Sequence, residues 1–321
     1  MRKILLASTA LVALTSVSAM AADITISGGY NLIYQNNDKK TDTDAGSFAS
    51  EGDVNIKFSN TTDTGITTTL NYGLHESGLK SSAKDDVLTA GSSYVNSDGA
   101  AYDDLNASLS GDFGTIYFDP AGDDVAIGGF DEKADKAGEG TDSGMASGYR
   151  GGIMGASGTT VGYKLPTVVD GLTIALSHGE GANEYFGYGI GYDAGMFNIG
   201  YVAESSNEAT NKVVSIGATV AGISLGFDQV EYEDNEGAVT EESKSSAYGV
   251  SYTIDGITLA YEMGKMDNEL TNTEVENHKQ IQASYAVAPG ITAIVSSSEV
   301  DSTASDANDK DVLELQLKMA F

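Results

Sequence analysis

A period-two alternation runs through this chain from Ile24 to its last residue and restricts the fold more tightly than any other feature of the sequence. In the first segment Ile24, Ile26, Gly28, Tyr30, Leu32 and Tyr34 form one set. Thr25, Ser27, Gly29 and Asn31 form the other, with Ile33 out of pattern. Val54, Ile56 and Phe58 then alternate with Asp53, Asn55, Lys57 and Ser59; Ile66, Thr68, Leu70, Tyr72 and Leu74 alternate with Thr67, Thr69, Asn71, Gly73 and His75. Successive side chains of a strand point to opposite faces, whereas a helix repeats about every 3.6 residues. Helical spacing accounts for none of the three. Similar segments lie near 103–110, 114–119, 159–165, 172–178, 185–193 and 196–204. More follow near 212–220, 223–232, 245–254, 257–266, 278–287, 291–299 and 311–321. The total is about sixteen strands, each near the roughly ten residues that a tilted membrane-crossing strand requires.

The connections alternate as well. Short ones carry turn chemistry: Gly111-Asp112-Phe113-Gly114, Asp193-Ala194-Gly195, Ala221-Gly222, Asp255-Gly256 and Pro289-Gly290. Long ones are polar and acidic, at 35–50, 77–102, 204–211, 233–243, 265–277 and 300–310. A β-sandwich has no reason to alternate connection length in this way. An outer-membrane barrel does, with tight turns on the periplasmic side and longer loops outside. The expected fold is therefore all-β, a transmembrane antiparallel barrel.

Composition excludes several alternatives. The chain has no Cys, so disulfides and thiolate-ligated metal sites are ruled out. His75, His178 and His278 lie far apart without metal-ligand spacing. Asp306, Asn308 and Asp311 lack the glycine that a calcium-binding loop needs at its sharp turn. No cofactor is expected, and loose binding of divalent cations by crowded loop carboxylates stays open. With 47 acidic against 17 basic residues, a net charge of −30 argues against nucleic acid as a partner. A mean hydropathy of −0.16 resembles a soluble protein. A barrel that averages a lipid face and a water face gives the same value. Gly187, Gly189 and Gly191 recur on one strand face, outside any strand-to-helix phosphate loop. Spacing supports neither a Ser–His–Asp triad nor a carboxylate pair, so no enzyme activity is expected.

The two ends of the sequence carry the most specific local patterns. Arg2 and Lys3 precede an apolar stretch at 4–17, and Ala19-Met20-Ala21 forms a small-x-small cleavage site. Residues 1–21 are expected to be a cleaved secretory signal peptide, with 22–321 as the barrel. Cleavage would remove two basic residues and no acidic one, leaving the mature chain still more acidic. In the last segment Leu313, Leu315, Leu317, Met319 and Phe321 line one face, and Glu314, Gln316 and Lys318 the other. On an open edge this strand would invite aggregation; in a closed barrel it pairs with the first and turns its apolar face to lipid.

The stretches Phe58-Ser59-Asn60 with Thr61-Thr62-Asp63-Thr64-Gly65, His75-Glu76-Ser77, and Leu109-Ser110-Gly111-Asp112-Phe113-Gly114-Thr115-Ile116-Tyr117 resemble the general porins of Gram-negative bacteria, most closely the alphaproteobacterial type. With the signal peptide and terminal Phe321 the resemblance spans the mature chain, although at 164–310 it rests on pattern. It implies a sixteen-stranded trimeric barrel in the outer membrane, with a third loop folded into the pore. It also implies that Phe321 serves as a signal to the barrel assembly machinery. The longest segment without alternation, about 119–158, fits that loop, since a structureless stretch of this length needs a function.

This loop region holds Asp119, Asp123, Asp124, Asp131, Glu132, Asp135, Glu139 and Asp142, with Lys133, Lys136 and Arg150. The family typically opposes its acidic loop with a cluster of arginines, but here Arg150 is the one arginine after cleavage. Strand parity points Lys57, His75 and Lys318 into the lumen, with Lys164 a further candidate, as a thin basic wall or as isolated solvated groups. Tyr34, Tyr72, Tyr192 and Tyr261 suit aromatic girdles at the membrane interfaces, and Gly28 offers a small outward surface for a neighbouring subunit. The expected function is passive diffusion of small hydrophilic solutes and ions, with cations favoured by the carboxylates. Two rivals remain: an exported β-rich adhesin or surface-layer protein, and a substrate-specific outer-membrane channel.

Overall fold

The computed structural model describes residues 23–37, 47–77, 105–120, 126–130, 133–137, 159–180, 184–234, 242–303 and 310–321. The expected signal peptide, 1–21, lies outside the described residues. Sixteen strands follow in chain order. They are β1 (Asp23–Asn37), β2 (Ser47–Thr61), β3 (Thr67–Ser77), β4 (Leu105–Gly111), β5 (Gly114–Asp119), β6 (Thr160–Lys164), β7 (Leu172–Gly179) and β8 (Tyr185–Asp193). The second half is β9 (Phe197–Ser206), β10 (Ala209–Val220), β11 (Ile223–Asp234), β12 (Glu242–Ile254), β13 (Ile257–Asn268), β14 (Thr273–Ala288), β15 (Ile291–Ser302) and β16 (Lys310–Ala320). Each pairs antiparallel with the next, and β16 pairs with β1 to close the barrel.

Alternation sorts the two faces as the sequence predicts. In β8, Tyr185, Gly187, Gly189 and Gly191 are buried, whereas Phe186 and Ile190 are 53% and 43% exposed. An outer wall of exposed Ile, Leu, Phe and Tyr side chains recurs on strand after strand. Such a surface is stable only against lipid, and a closed ladder leaves no backbone group unpaired there. Ile33, the residue out of pattern, is 5% exposed on the inner face.

Closure is completed by the last residue. Phe321 N–H donates to the Gly28 carbonyl (3.0 Å), and Gly28 N–H donates to the Phe321 carbonyl (3.1 Å). A side chain on Gly28 would run into the Phe321 ring. The outward space at Gly28 is therefore taken by the chain's own terminal aromatic, which corrects the expectation that it admits a neighbouring subunit.

Two of the expected long connections are short. β9 and β10 are joined through 207–208, and β13 and β14 through 269–272. Glu204 and Asn211 mimicked loop residues because they are polar, yet both are buried inner-wall residues joined by an Asn211 Nδ2–H···Oε2 Glu204 bond of 3.2 Å.

At the opposite end, Ala221 and Gly222 have φ of 52° and 83°, and Asp255 and Gly256 have 51° and 80°. These are two-residue turns with both residues left-handed, whose twist matches that of the strands they join. Alanine has no side-chain compensation for that conformation. Ala221→Asn is expected to stabilise the barrel by about 0.5–1 kcal/mol, and Ala221→Val to destabilise it. The midpoint of heat-induced unfolding in detergent measures both.

Candidate pore constriction

The inner wall of this barrel is unusual for a water-filled tube because part of it is dry. Residues 126–130 and 133–137, from the segment between β5 and β6, lie against it. Ala126, Ile127 and Phe130 pack with Ala175, Val202, Val213 and Val230 in a buried apolar cluster, with Tyr117 at its margin. Burying side chains such as Ile127 and Phe130 contributes about 1.5–3 kcal/mol each. That is enough to hold a segment which a wide lumen would otherwise leave solvated.

Glycines on the inner faces make room for this contact. Any side chain at Gly189 or Gly191 would enter the Phe130 ring, and one at Gly187 would meet Ile127. Gly226 in β11 and Gly249 in β12 are tighter still: a Cβ there would overlap the carbonyl oxygens of Lys133 and Ala134. The period-two glycines of the sequence are thus the track on which the loop rests.

Two wall carboxylates fix the loop along that track. Asp228 of β11 accepts backbone N–H bonds from Lys133 (2.9 Å) and Ala134 (2.6 Å). Glu262 of β13 accepts weaker ones from Lys136 (3.3 Å) and Ala137 (3.4 Å). Gln280 of β14 donates its amide N–H to the Ala137 carbonyl. All three side chains are fully buried. Backbone amides gathered at a carboxylate stabilise its negative charge, and the ammonium groups of Lys133 and Lys136 add to that field. On the loop, burial pushes the Lys136 ammonium's pKa below the usual lysine value, against the upward pull of Asp228, Asp135 and Glu262.

The sequence-derived site residues distribute as follows. Asp135 lies in the loop, half-buried. Asp119 ends β5 at 2% exposure, in the wall rather than on the open lumen. Asp123, Asp124, Asp131, Glu132, Glu139, Asp142 and Arg150 lie outside the described residues. Lys57 is exposed on the inner face of β2, opposite Thr25 and Asn71 in register. Lys318 is half-buried opposite Asn31. Lys164 sits 5.2 Å from the Tyr117 ring centroid, in cation–π range. His75 is opposite Asp53 in register, with its side chain outside the described residues. Around Lys57 the wall is amide-rich: Asn71 Nδ2–H donates to Asn106 (2.7 Å) and Asn55 Nδ2–H to Asp53 (2.9 Å). Sequence reading missed Asp228, Glu262 and Gln280. Their one signal is a charged or amide residue at an inward position among small neighbours, as in Gly226-x-Asp228 and Ala260-x-Glu262-x-Gly264.

Neutralising the two carboxylates should loosen the loop without removing its apolar contacts. Bonds to a charged acceptor are worth about 1.5–3 kcal/mol against about 0.5–1.5 for neutral ones. In Asp228→Asn/Glu262→Gln, amide hydrogen exchange at Lys133, Ala134, Lys136 and Ala137 is expected to accelerate about tenfold or more. Unchanged exchange would mean that packing alone holds the segment. Gly226→Val should push the loop toward the pore axis and lower single-channel conductance in planar bilayers.

Comparison with known proteins agrees with this geometry. A family profile described as Gram-negative porin matches residues 7–308. No individually curated protein matches the chain. Among solved structures, a triple mutant of the Rhodopseudomonas blastica porin aligns with a TM-score of 0.67 at 14% identity, over 93% of this chain and 100% of that one. A porin from Comamonas acidovorans, described as anion-selective, aligns with a TM-score of 0.63 at 14% identity, over 94% of this chain and 100% of that one. At such identity the likeness carries the fold alone. With the profile spanning nearly all of its length, the chain belongs to the Gram-negative porin family.

Proposed function

We propose that this porin passes small hydrophilic solutes and ions by diffusion and favours cations over anions. Family and fold make it an outer-membrane channel. The observation that supports the finer reading is the inward seat of the loop, whose described residues carry Asp135 into the lumen, where a low-dielectric wall focuses the field of fixed charges. Asp228 and Glu262 are engaged by backbone amides, and Asp119 is buried. The weight of selectivity therefore falls on Asp135 and its acidic neighbours Asp131 and Glu132. Lys57 and Lys318 oppose them as a thin basic wall, while Lys164 sits beside the loop's own seat, over Tyr117. The anion-selective porin of the same fold indicates that side chains, rather than architecture, set the sign.

The functional unit is a homotrimer, Phe321 presents the last strand to the barrel assembly machinery, and residues 1–21 are removed on export. Divalent cations gather loosely at loop carboxylates; among the described residues no group of three or more His, Asp or Glu is placed to hold a metal. The mature protein is expected to need detergent for extraction and to migrate as a heat-modifiable oligomer. A mass corresponding to a monomer in mild detergent would overturn the trimer.

Selectivity is read from reversal potentials across a salt gradient in planar bilayers. The sign should be cationic and the preference should weaken as salt rises, because the Debye length falls from about 10 Å at 0.1 M to about 3 Å at 1 M. Replacing Asp131, Glu132 and Asp135 by their amides should lower cation preference. The same change at Asp301, near the end of β15, and at Asp306, in the segment that follows it in sequence, should do much less. An anionic reversal potential in the unaltered channel would refute the proposal.

A further inference from the structure

Charge on the inner wall is ordered along the pore axis, and the loop alone does not account for it. The two-residue turns mark the periplasmic side, so the inward positions of each strand rank by their distance from that end. In β2 the inward series away from the turn is Ser59, Lys57, Asn55, Asp53. In β16 it is Lys318, Gln316, Glu314. The β5–β6 pair repeats the order, with Lys164 opposite Thr115, then Tyr117, then Asp119. Each time a base stands near the turns, a neutral residue follows, and a carboxylate lies farther out. Asp228 and Glu262 are likewise set back from the turns, behind Ser224 on β11 and Thr258 on β13.

The register neighbours of the three lysines are uncharged. Lys57 is flanked by Thr25 and Asn71, Lys318 by Asn31 and Thr292, and Lys164 by Thr115 and Ala175. Hydroxyl pairs fill much of the wall near the turns: Thr61 with Thr67 (2.9 Å), Ser110 with Thr115 (3.0 Å) and Thr253 with Thr258 (2.8 Å) each close a hairpin on its inner face. Lys164 stands one inward position nearer the turns than Gly162, which Ala126 of the loop approaches, so the loop begins on its outer side. In the loop itself Lys133 and Lys136 are set against Asp135, Asp228 and Glu262. Exposed carboxylates such as Asp23, Asp63 and Asp193 lie past the lysines at the rim, in bulk water, where no low-dielectric wall focuses their field.

Lys57 and Asp53 are separated by about 13 Å along the strand. The Debye length is about 10 Å at 0.1 M, so at that salt each zone acts on a passing ion before the other cancels it. A unit charge about 7 Å from an ion in water changes its local concentration about two- to threefold. We propose that the lumen is a bipolar pore, an outer cation-attracting zone in series with a periplasmic anion-attracting zone at Lys57, Lys164 and Lys318, and that it rectifies ion flow. With the outer compartment positive, cations enter through the acidic zone and anions through the basic one. Both then collect between the zones, and conductance rises. With the opposite sign both are drawn out of the middle, and conductance falls. This rectification rests on the inward loop of the proposed function, but it concerns the direction of flow, whereas that reading concerns the preferred ion.

Single-channel current–voltage curves of the full folded chain in planar bilayers, with equal KCl on both sides, provide the test. The chain has no Cys, so Val168→Cys in the exposed β6–β7 turn can be joined to a maleimide polymer too large to enter the pore, which marks the periplasmic side. At 0.1 M salt, conductance with the outer side positive should exceed the reverse by about 1.5-fold or more, and at 1 M the two should be nearly equal. Lys57→Gln/Lys164→Gln/Lys318→Gln should give a symmetric curve and a stronger cation preference in the reversal potential. Replacing Asp131, Glu132 and Asp135 by their amides should also flatten the curve but weaken that preference, which tells the two zones apart. Should the triple variant fail to fold, Lys57→Gln alone, at an exposed position, is expected to lose part of the asymmetry. A symmetric curve in the unaltered channel, asymmetry of the opposite sign, or asymmetry that survives loss of the lysines would overturn the proposal. Asymmetry undiminished at 1 M would assign it to pore shape and overturn the proposal as well. A symmetric channel that still prefers cations would sink this inference alone; an anionic reversal potential with a rectifying curve would sink the cation preference alone.

Discussion

Every strand in this molecule depends on the cost of an unpaired backbone group in hydrocarbon. An amide or carbonyl left without a partner in lipid costs several kcal/mol, so a sheet that faces lipid must have no edge. The β1–β16 ladder removes the edge, and the paired bonds between Gly28 and Phe321 carry it to the final residue. Once the ring is closed, the pleat does the remaining sorting: lipid takes one set of side chains and the lumen takes the other. Without closure the outer set would be an aggregation surface.

The interior obeys a different rule. Water is available there, so backbone groups of the loop do not need the wall. They are held by what the wall offers beyond water: an apolar cluster around Phe130, and carboxylates whose charge strengthens each amide bond they accept. Glycine is the enabling residue, because only a bare backbone lets the Lys133 and Ala134 carbonyls approach β11 and β12 so closely. Placing Asp228 and Glu262 at full burial would be costly if unpaired; gathered amides make it tolerable.

The strands were legible because lipid and water impose a period of two on each of them, and each segment found by alternation corresponds to a strand. Ends were less legible. Glu204 and Asn211 read as loop because polarity marks both a loop and an inward-facing strand residue. The loop's presence followed from its length and lack of alternation, but its seat did not. Gly187, Gly189 and Gly191 were visible as a repeat, yet what they make room for is far away in the chain. Asp228 and Glu262 were invisible for the same reason: before folding, a carboxylate that will anchor a backbone and one that will attract a cation look identical.

Phe130 and its neighbours have a geometric consequence for solute passage. The inner faces of β7 to β13 are buried, whereas those of β1 to β4, with Asn55, Lys57, Asn71 and Asn106, keep contact with water. Among the described residues, the water-contacting part of the inner wall is therefore eccentric. The inner wall that a crossing solute is offered by the described residues is thus one side of the ring, an amide-lined arc of four strands. The seven strands from β7 to β13 serve instead as the buttress against which the loop is packed.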